Sequence, residues 1–241
     1  MKSYIFANWK LYLSEKKSVA LARSLKKKRG NIELAIFPSE LAFVDVAKTV
    51  HSQISLGSQN IAPLNQQAAT GEVSGTDLKK LGCCYVIIGH SERRALGESD
   101  ATVRSKLSAA VRSRLIPVLC VGETKHSHTG MAQQFVRLQL ERDLKGWKGK
   151  TLFVAYEPVW AISKAGKGLA NPPEQAFAMA RFIQKRLQRL VPKARTMLIY
   201  GGNVKAENIA QYADGTIFHG ALVGHASTKR SEINAMLRAM A

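Results

Sequence analysis

Short apolar runs alternate along this chain with longer amphipathic stretches. The runs at 4–7, 34–37, 54–57, 85–88, 117–121, 152–156, 197–200 and 221–223 are nearly continuous. A strand with one wet face alternates apolar and polar residues, so an unbroken run indicates burial on both faces, as in a parallel sheet. Between the runs, the spacing of apolar residues predicts helices such as 14–28, 39–50, 99–114, 131–144 and 173–190. Alternating strands and helices read as repeated βα units. Eight units in 241 residues predict one closed (β/α)8 barrel of eight parallel strands, a single domain over 1–241. A closed barrel of this type typically takes ~250 residues. An open doubly wound sheet would carry a Gly-rich turn after its first strand; here that strand ends in Asn8-Trp9-Lys10. Helix starts are marked too. Ser99 is a candidate N-cap, and Pro172-Pro173 suit a first turn, where a missing N–H costs little.

Composition changes this picture little. The chain is 46% hydrophobic and 22% charged, ordinary for a globular protein. No apolar run is long enough to span a bilayer, so no membrane association is expected. The apolar start at Tyr4-Ile5-Phe6 stops at Asn8 and Lys10 without a signal-peptide cleavage pattern, which points to the cytoplasm. Cys83, Cys84 and Cys120 are odd in number and lack paired spacing, so neither a disulfide framework nor a zinc site is expected. Charge is the exception: 36 Lys and Arg against 17 acids give +19. The bases are spread along the chain, for example at Lys79-Lys80, Lys185-Arg186 and Lys229-Arg230. Most fall on outer faces of the expected helices, and no nucleic-acid module accompanies them. The excess therefore reads as a solvated envelope that speeds encounter with an anionic substrate, and no nucleic-acid partner is expected.

Polar clusters follow five of the expected strands: Asn8 and Lys10; His90-Ser91-Glu92-Arg93; Glu157; Tyr200-Gly201-Gly202-Asn203; and Gly224-His225. In a barrel these points share one rim, the rim on which barrel enzymes place their sites. Glu157 precedes the apolar stretch 158–162, which can cover the acid and desolvate it, as suits a general base. His90 opens a polar turn that starts a short helix, whose dipole disfavours imidazolium and leaves a neutral donor for a developing oxyanion. Lys10 is an electrostatic anchor if it points inward, with Glu92 as counter-ion. Gly201, Gly202 and Gly224 allow close backbone approach to a phosphate after the last two strands.

Five blocks together resemble triosephosphate isomerase: Asn8-Trp9-Lys10, residues 89–94, Cys120-Val121-Gly122-Glu123-Thr124, residues 155–162 and residues 200–204. Their order and spacing fit across essentially the whole chain, and the fold implied is the TIM barrel. The resemblance implies interconversion of dihydroxyacetone phosphate and D-glyceraldehyde 3-phosphate through an enediolate, in glycolysis and gluconeogenesis. It makes Glu157 the base, His90 the neutral electrophile, Lys10 the positive charge and Asn8 a positioning residue. Ser163, Asn203, Gly224 and His225 fall where the family holds substrate phosphate, Glu123 and Trp160 where it holds an open lid, and Tyr200 in a supporting position. No metal or organic cofactor is implied. A homodimer is implied through the 65–74 loop, with Thr70 reaching the partner and Glu72 meeting Arg93 of the partner subunit.

The chain departs from the family in five places, one of them a slightly shorter stretch at 94–98. The lid tip after Ile162 is a few residues longer, and Ser163 stands in place of a glycine. Asn203 replaces a serine, and His225 replaces the second glycine after the eighth strand. The His225 imidazole either points away, leaving its backbone N–H as the phosphate contact, or borders the phosphate itself.

Overall fold

The structure, a computed structural model, describes residues 2–25, 30–64, 68–162, 171–213 and 215–241. Eight strands alternate with helices: β1 (Ser3–Asn8), α1 (Glu15–Ser24), β2 (Ile32–Phe37), α2 (Glu40–Thr49), β3 (Ser55–Ser58), α3 (Gly75–Lys80), β4 (Cys83–Ile88), α4 (Ser91–Ala95), α5 (Asp100–Arg112), β5 (Ile116–Val121), α6 (Thr129–Asp143), β6 (Thr151–Tyr156), α7 (Pro173–Leu190), β7 (Arg195–Tyr200), α8 (Ile209–Tyr212), β8 (Phe218–Val223) and α9 (Arg230–Ala239). All strand pairs are parallel, and β1 pairs with both β2 and β8, closing the barrel.

Each expected strand lies within one residue of, or inside, an observed one. The largest difference is β8, which begins at Phe218 rather than at 221. His219 and Gly220 interrupt its apolar run; Gly220 sits at φ +154, and a Cβ there would stand 1.9 Å from the Tyr4 carbonyl oxygen, so the position requires glycine. The first helix stops at Ser24, and residues 26–29 of the expected segment lie outside the described residues. Ser99 caps α5 by accepting from the Thr102 N–H, and Pro173 opens α7.

Strand side chains sort by parity, as the pleat requires. Ile5, Ala7, Leu34 and Ile36 pack outward against the helices. Tyr4, Phe6, Phe37, Tyr85 and Phe153 fill the interior, with ring centroids 4.8 Å apart for Phe6–Tyr85 and Tyr4–Phe153. So many rings fit because small residues face them. A Cβ on Gly57 would stand 2.1 Å from the Phe37 ring. Below this core Glu33 accepts from Tyr85 Oη–H at 2.6 Å and Ser55 Oγ–H at 2.7 Å, and pairs with Lys2. Above it, Lys106, only 2% exposed, donates to Asn60 at 2.7 Å and pairs with Glu98. That contact ties the loops after β3 and β4 together.

Candidate active site

One rim cavity of about 180 Å3 is lined by Asn8, Lys10, His90, Glu157, Asn203, Gly224 and His225. These residues come from the ends of β1, β4, β6, β7 and β8, so the expected convergence is met. Ser163 lies outside the described residues. Glu92, Glu123, Trp160 and Tyr200 stand outside the cavity lining.

Glu157 is 2% exposed and follows the last residue of β6. Its N–H donates to the Val121 carbonyl at 2.8 Å, which extends the β5–β6 ladder one residue onto the rim. Its Oε2 accepts from the Ser91 N–H at 3.3 Å, and its Oε1 lies 3.3 Å from His90 Nε2. His90 is the N-cap of α4: its Nδ1 accepts from the Glu92 N–H at 3.2 Å. An imidazole nitrogen that accepts carries no proton, so the neutral ring holds its proton on Nε2, the nitrogen facing Glu157.

Lys10 sits at φ 46, a conformation uncommon for a residue with a side chain. Local bonds hold it there. Its N–H donates to Asn8 Oδ1 at 3.1 Å, and its carbonyl accepts from Gln59 Nε2 at 3.0 Å. The ammonium reaches back 2.7 Å to Glu92 Oε1. Burial pushes the Glu92 carboxyl up, but the hydrogen bond and charge of Lys10 outweigh it and hold the group below the usual carboxylate range. Gly224 brings the backbone after β8 close to Lys10; a Cβ there would stand 3.6 Å from Lys10 Cε.

The His225 ring meets Tyr12 edge-on at 5.2 Å, and its Nδ1 is buried without a hydrogen-bond partner. His225 also lines the cavity. Lys229, grouped by its sequence neighbours with outer-face bases, lines the cavity instead, as does Lys205. Lys229 stands at the N-cap position of α9, on the rim side of the helix. Glu123 accepts from Trp160 Nε1–H at 2.7 Å and from Tyr156 Oη–H at 3.1 Å. Burial and then the Glu123 charge push the Tyr156 phenol far above its ordinary range. Tyr200 stacks on Tyr212 with centroids 4.2 Å apart.

Cys120 is excluded by the sequence from a disulfide framework or zinc site and is given no other chemistry. It is fully buried, and burial followed by the negative charge of Glu157 pushes its thiol well above the ordinary range. It therefore meets the carboxylate as a neutral thiol. Ser91, Gln59 and Gly122 were likewise missed. Ser91 sits inside a motif already noted, whereas Gln59 carries no local signal.

Comparison with known proteins agrees with this geometry. The family model described as triosephosphate isomerase matches residues 3–240. The triosephosphate isomerase of Thiobacillus denitrificans is 41% identical, covering 100% of this chain and 99% of its own length. That of Moorella thermoacetica is 41% identical over 92% of both chains. That of Leptospira borgpetersenii is 38% identical over 95% of this chain and 96% of its own. The chain belongs to the triosephosphate isomerase family.

Proposed function

We propose that this chain, folded as a single domain, interconverts dihydroxyacetone phosphate and D-glyceraldehyde 3-phosphate by proton transfer through an enediolate, in glycolysis and gluconeogenesis. The observation that carries the reading is the 3.3 Å approach of Glu157 Oε1 to His90 Nε2 inside a cavity shared with Lys10. The Glu157 carboxylate removes a proton from the carbon beside the substrate carbonyl. His90 Nε2–H donates to the carbonyl oxygen as negative charge builds there, and the Lys10 ammonium stabilises that charge. The same carboxyl returns the proton to the neighbouring carbon, while the hydroxyl proton passes to the former carbonyl oxygen by way of His90 Nε2. Asn8 orients the substrate, and Glu92 keeps Lys10 in place. Asn203 and the backbone N–H groups of Gly224 and His225 hold the phosphate, with Ser163 joining from the lid.

Residues 158–171, of which 163–170 lie outside the described residues, serve as the lid, and the Glu123–Trp160 hydrogen bond anchors its first hinge. Closure excludes water and keeps the enediolate from shedding phosphate. A coupled assay with dihydroxyacetone phosphate tests the reading. Turnover unaffected by EDTA is expected, since no step uses a metal; absence of turnover in folded protein refutes it.

The working form is a homodimer joined through the 65–74 loop, with Thr70 and Glu72 facing the partner. Ala68, Thr70 and Glu72 are exposed, and residues 65–67 lie outside the described residues. Leu11, Leu41 and Leu96, on segments after β1, β2 and β4, are 87%, 91% and 78% exposed, an apolar surface suited to burial against a second copy. Sedimentation at micromolar protein should give twice the chain mass; a fully active monomer would contradict it. The cytoplasm suits its three free cysteines, and among the described residues no helix is long and apolar enough to cross a membrane.

A further inference from the structure

The isomerase chemistry engages Lys10, and Lys205 and Lys229 line its cavity. Most of the +19 net charge is left without a use. That charge is patterned. Residues 175–206 contain no Asp or Glu, yet include Arg181, Lys185, Arg186, Arg189, Lys193 and Arg195. On α7, Arg181, Lys185 and Arg189 are exposed and four residues apart, so they form one stripe about 12 Å long.

None of the three has an ion-pair partner among the described residues. On other helices some bases are matched, Lys48 with Asp45, Lys80 with Asp77, Arg137 with Glu141 and Arg142 with Asp100. Lys16, Lys17 and Arg23 on α1 are exposed without an ion pair among the described residues, but they are not spaced four apart and so form no stripe. Like charges at this spacing destabilise a helix. The helix dipole rewards cations only near the C-terminus, which accounts for Arg189 but not for Arg181 or Lys185. Substrate steering does not account for the stripe either. It runs from mid-helix to the end of α7 that leads into β7, away from the rim holding Glu157.

Against the sequence expectation of no nucleic-acid partner, we propose that the outer face of α7 binds the phosphate backbone of a nucleic acid. A membrane fits less well. The apolar side of α7, including Met179, Ile183 and Leu187, is buried in the barrel, and its Phe182 is half-buried with Arg186 5.4 Å from the ring centre. Nothing on this face is free to insert into a bilayer. Nor is there an exposed aromatic for base stacking, so the contacts are to phosphate and independent of base sequence.

The test is fluorescence anisotropy of the full chain with a labelled single-stranded oligouridine at several salt concentrations. Three phosphate contacts predict a log–log salt slope of about −2. Charge reversal at Arg181, Lys185 and Arg189 to Glu should weaken binding at least about tenfold while leaving isomerase kcat/KM within about twofold. Reversal of Lys16, Lys17 and Arg23 on α1 makes the same change in net charge and should leave the affinity within about threefold. Should the α7 reversal misfold, Gln at the same three positions replaces it, with the same direction of effect. Three results overturn the proposal: no binding at low salt, equal loss in the α1 and α7 variants, or binding to phosphatidylserine vesicles without binding to RNA.

Discussion

Gly122→Ala places one methyl group where the backbone of the proposed base now lies. A Cβ at position 122 would stand 1.8 Å from the Glu157 carbonyl oxygen and 2.4 Å from its carbon, and real Cβ contacts essentially never fall below 3.0 Å. Clearing the overlap, from 1.8 Å to 3.0 Å, takes a shift of about 1.2 Å. The obstacle is main chain, so it does not swing aside as a side chain does. It is also held from both sides, because the Glu157 N–H donates to Val121 at 2.8 Å and the Gly122 N–H donates to Gln139 Oε1 at 2.9 Å. Overpacking of this kind costs ~1–3 kcal/mol, and displacing a catalytic group by ~1 Å costs ~10²-fold in rate. Gly122→Ala should therefore lower the urea midpoint and cut kcat by about two orders of magnitude.

Gly201→Ala makes the contrast. Its Cβ would meet Glu157 Cγ at 2.7 Å, a side-chain atom that rotates. This variant should lose activity with much less loss of stability. The assays are coupled isomerase kinetics and urea unfolding of both variants. Wild-type kcat in a folded Gly122→Ala protein would refute the argument that the main chain at 122 fixes Glu157.

Two further outcomes follow from the same geometry. Burial pushes the Glu33 carboxyl up, but its bonds to Lys2, Tyr85 and Ser55 win and hold it below its ordinary value of 4.5. Its stabilisation is therefore present above pH 4.5 and lost as pH falls through the depressed folded value. Glu33→Gln should lower stability at pH 7 by ~1–3 kcal/mol and flatten the acid limb of urea midpoint against pH; an unchanged limb would discount the cluster. Glu92→Gln should lower kcat/KM only ~2- to 5-fold, because the Glu92 side chain is 61% exposed and solvent screens its pairing with Lys10. Steady-state kinetics check this, and a loss beyond ~10²-fold would give Glu92 a part in the proton transfer itself.

The eight strands were legible because burial on both faces leaves unbroken apolar runs. The runs failed where packing demanded a residue of another kind, as at Gly220 beside Tyr4. The rim residues were legible because strand ends are local in sequence and the barrel brings them together. What stayed hidden depends on distant contacts. Nothing near Gln59 indicates that its amide caps the Lys10 carbonyl 49 positions away. Cys120 looks like a small apolar residue until Glu157 is placed beside it, and Lys229 looks like a surface charge until α9 is oriented. Gly122 reads as an ordinary turn glycine, since only the path of β6 shows what occupies the space of its missing side chain.

The central claim is that the Glu157 carboxylate carries the proton between two substrate carbons. The most direct measurement follows dihydroxyacetone phosphate in D2O by NMR, with wild type and Glu157→Gln at equal concentration and with matched unfolding midpoints. Wild type should form product and place deuterium on the carbon that exchanges. Glu157→Gln should lose both turnover and deuterium incorporation by at least ~10²-fold, because the amide has no basic oxygen to accept the proton. Deuterium incorporation by Glu157→Gln at the wild-type rate would contradict the account.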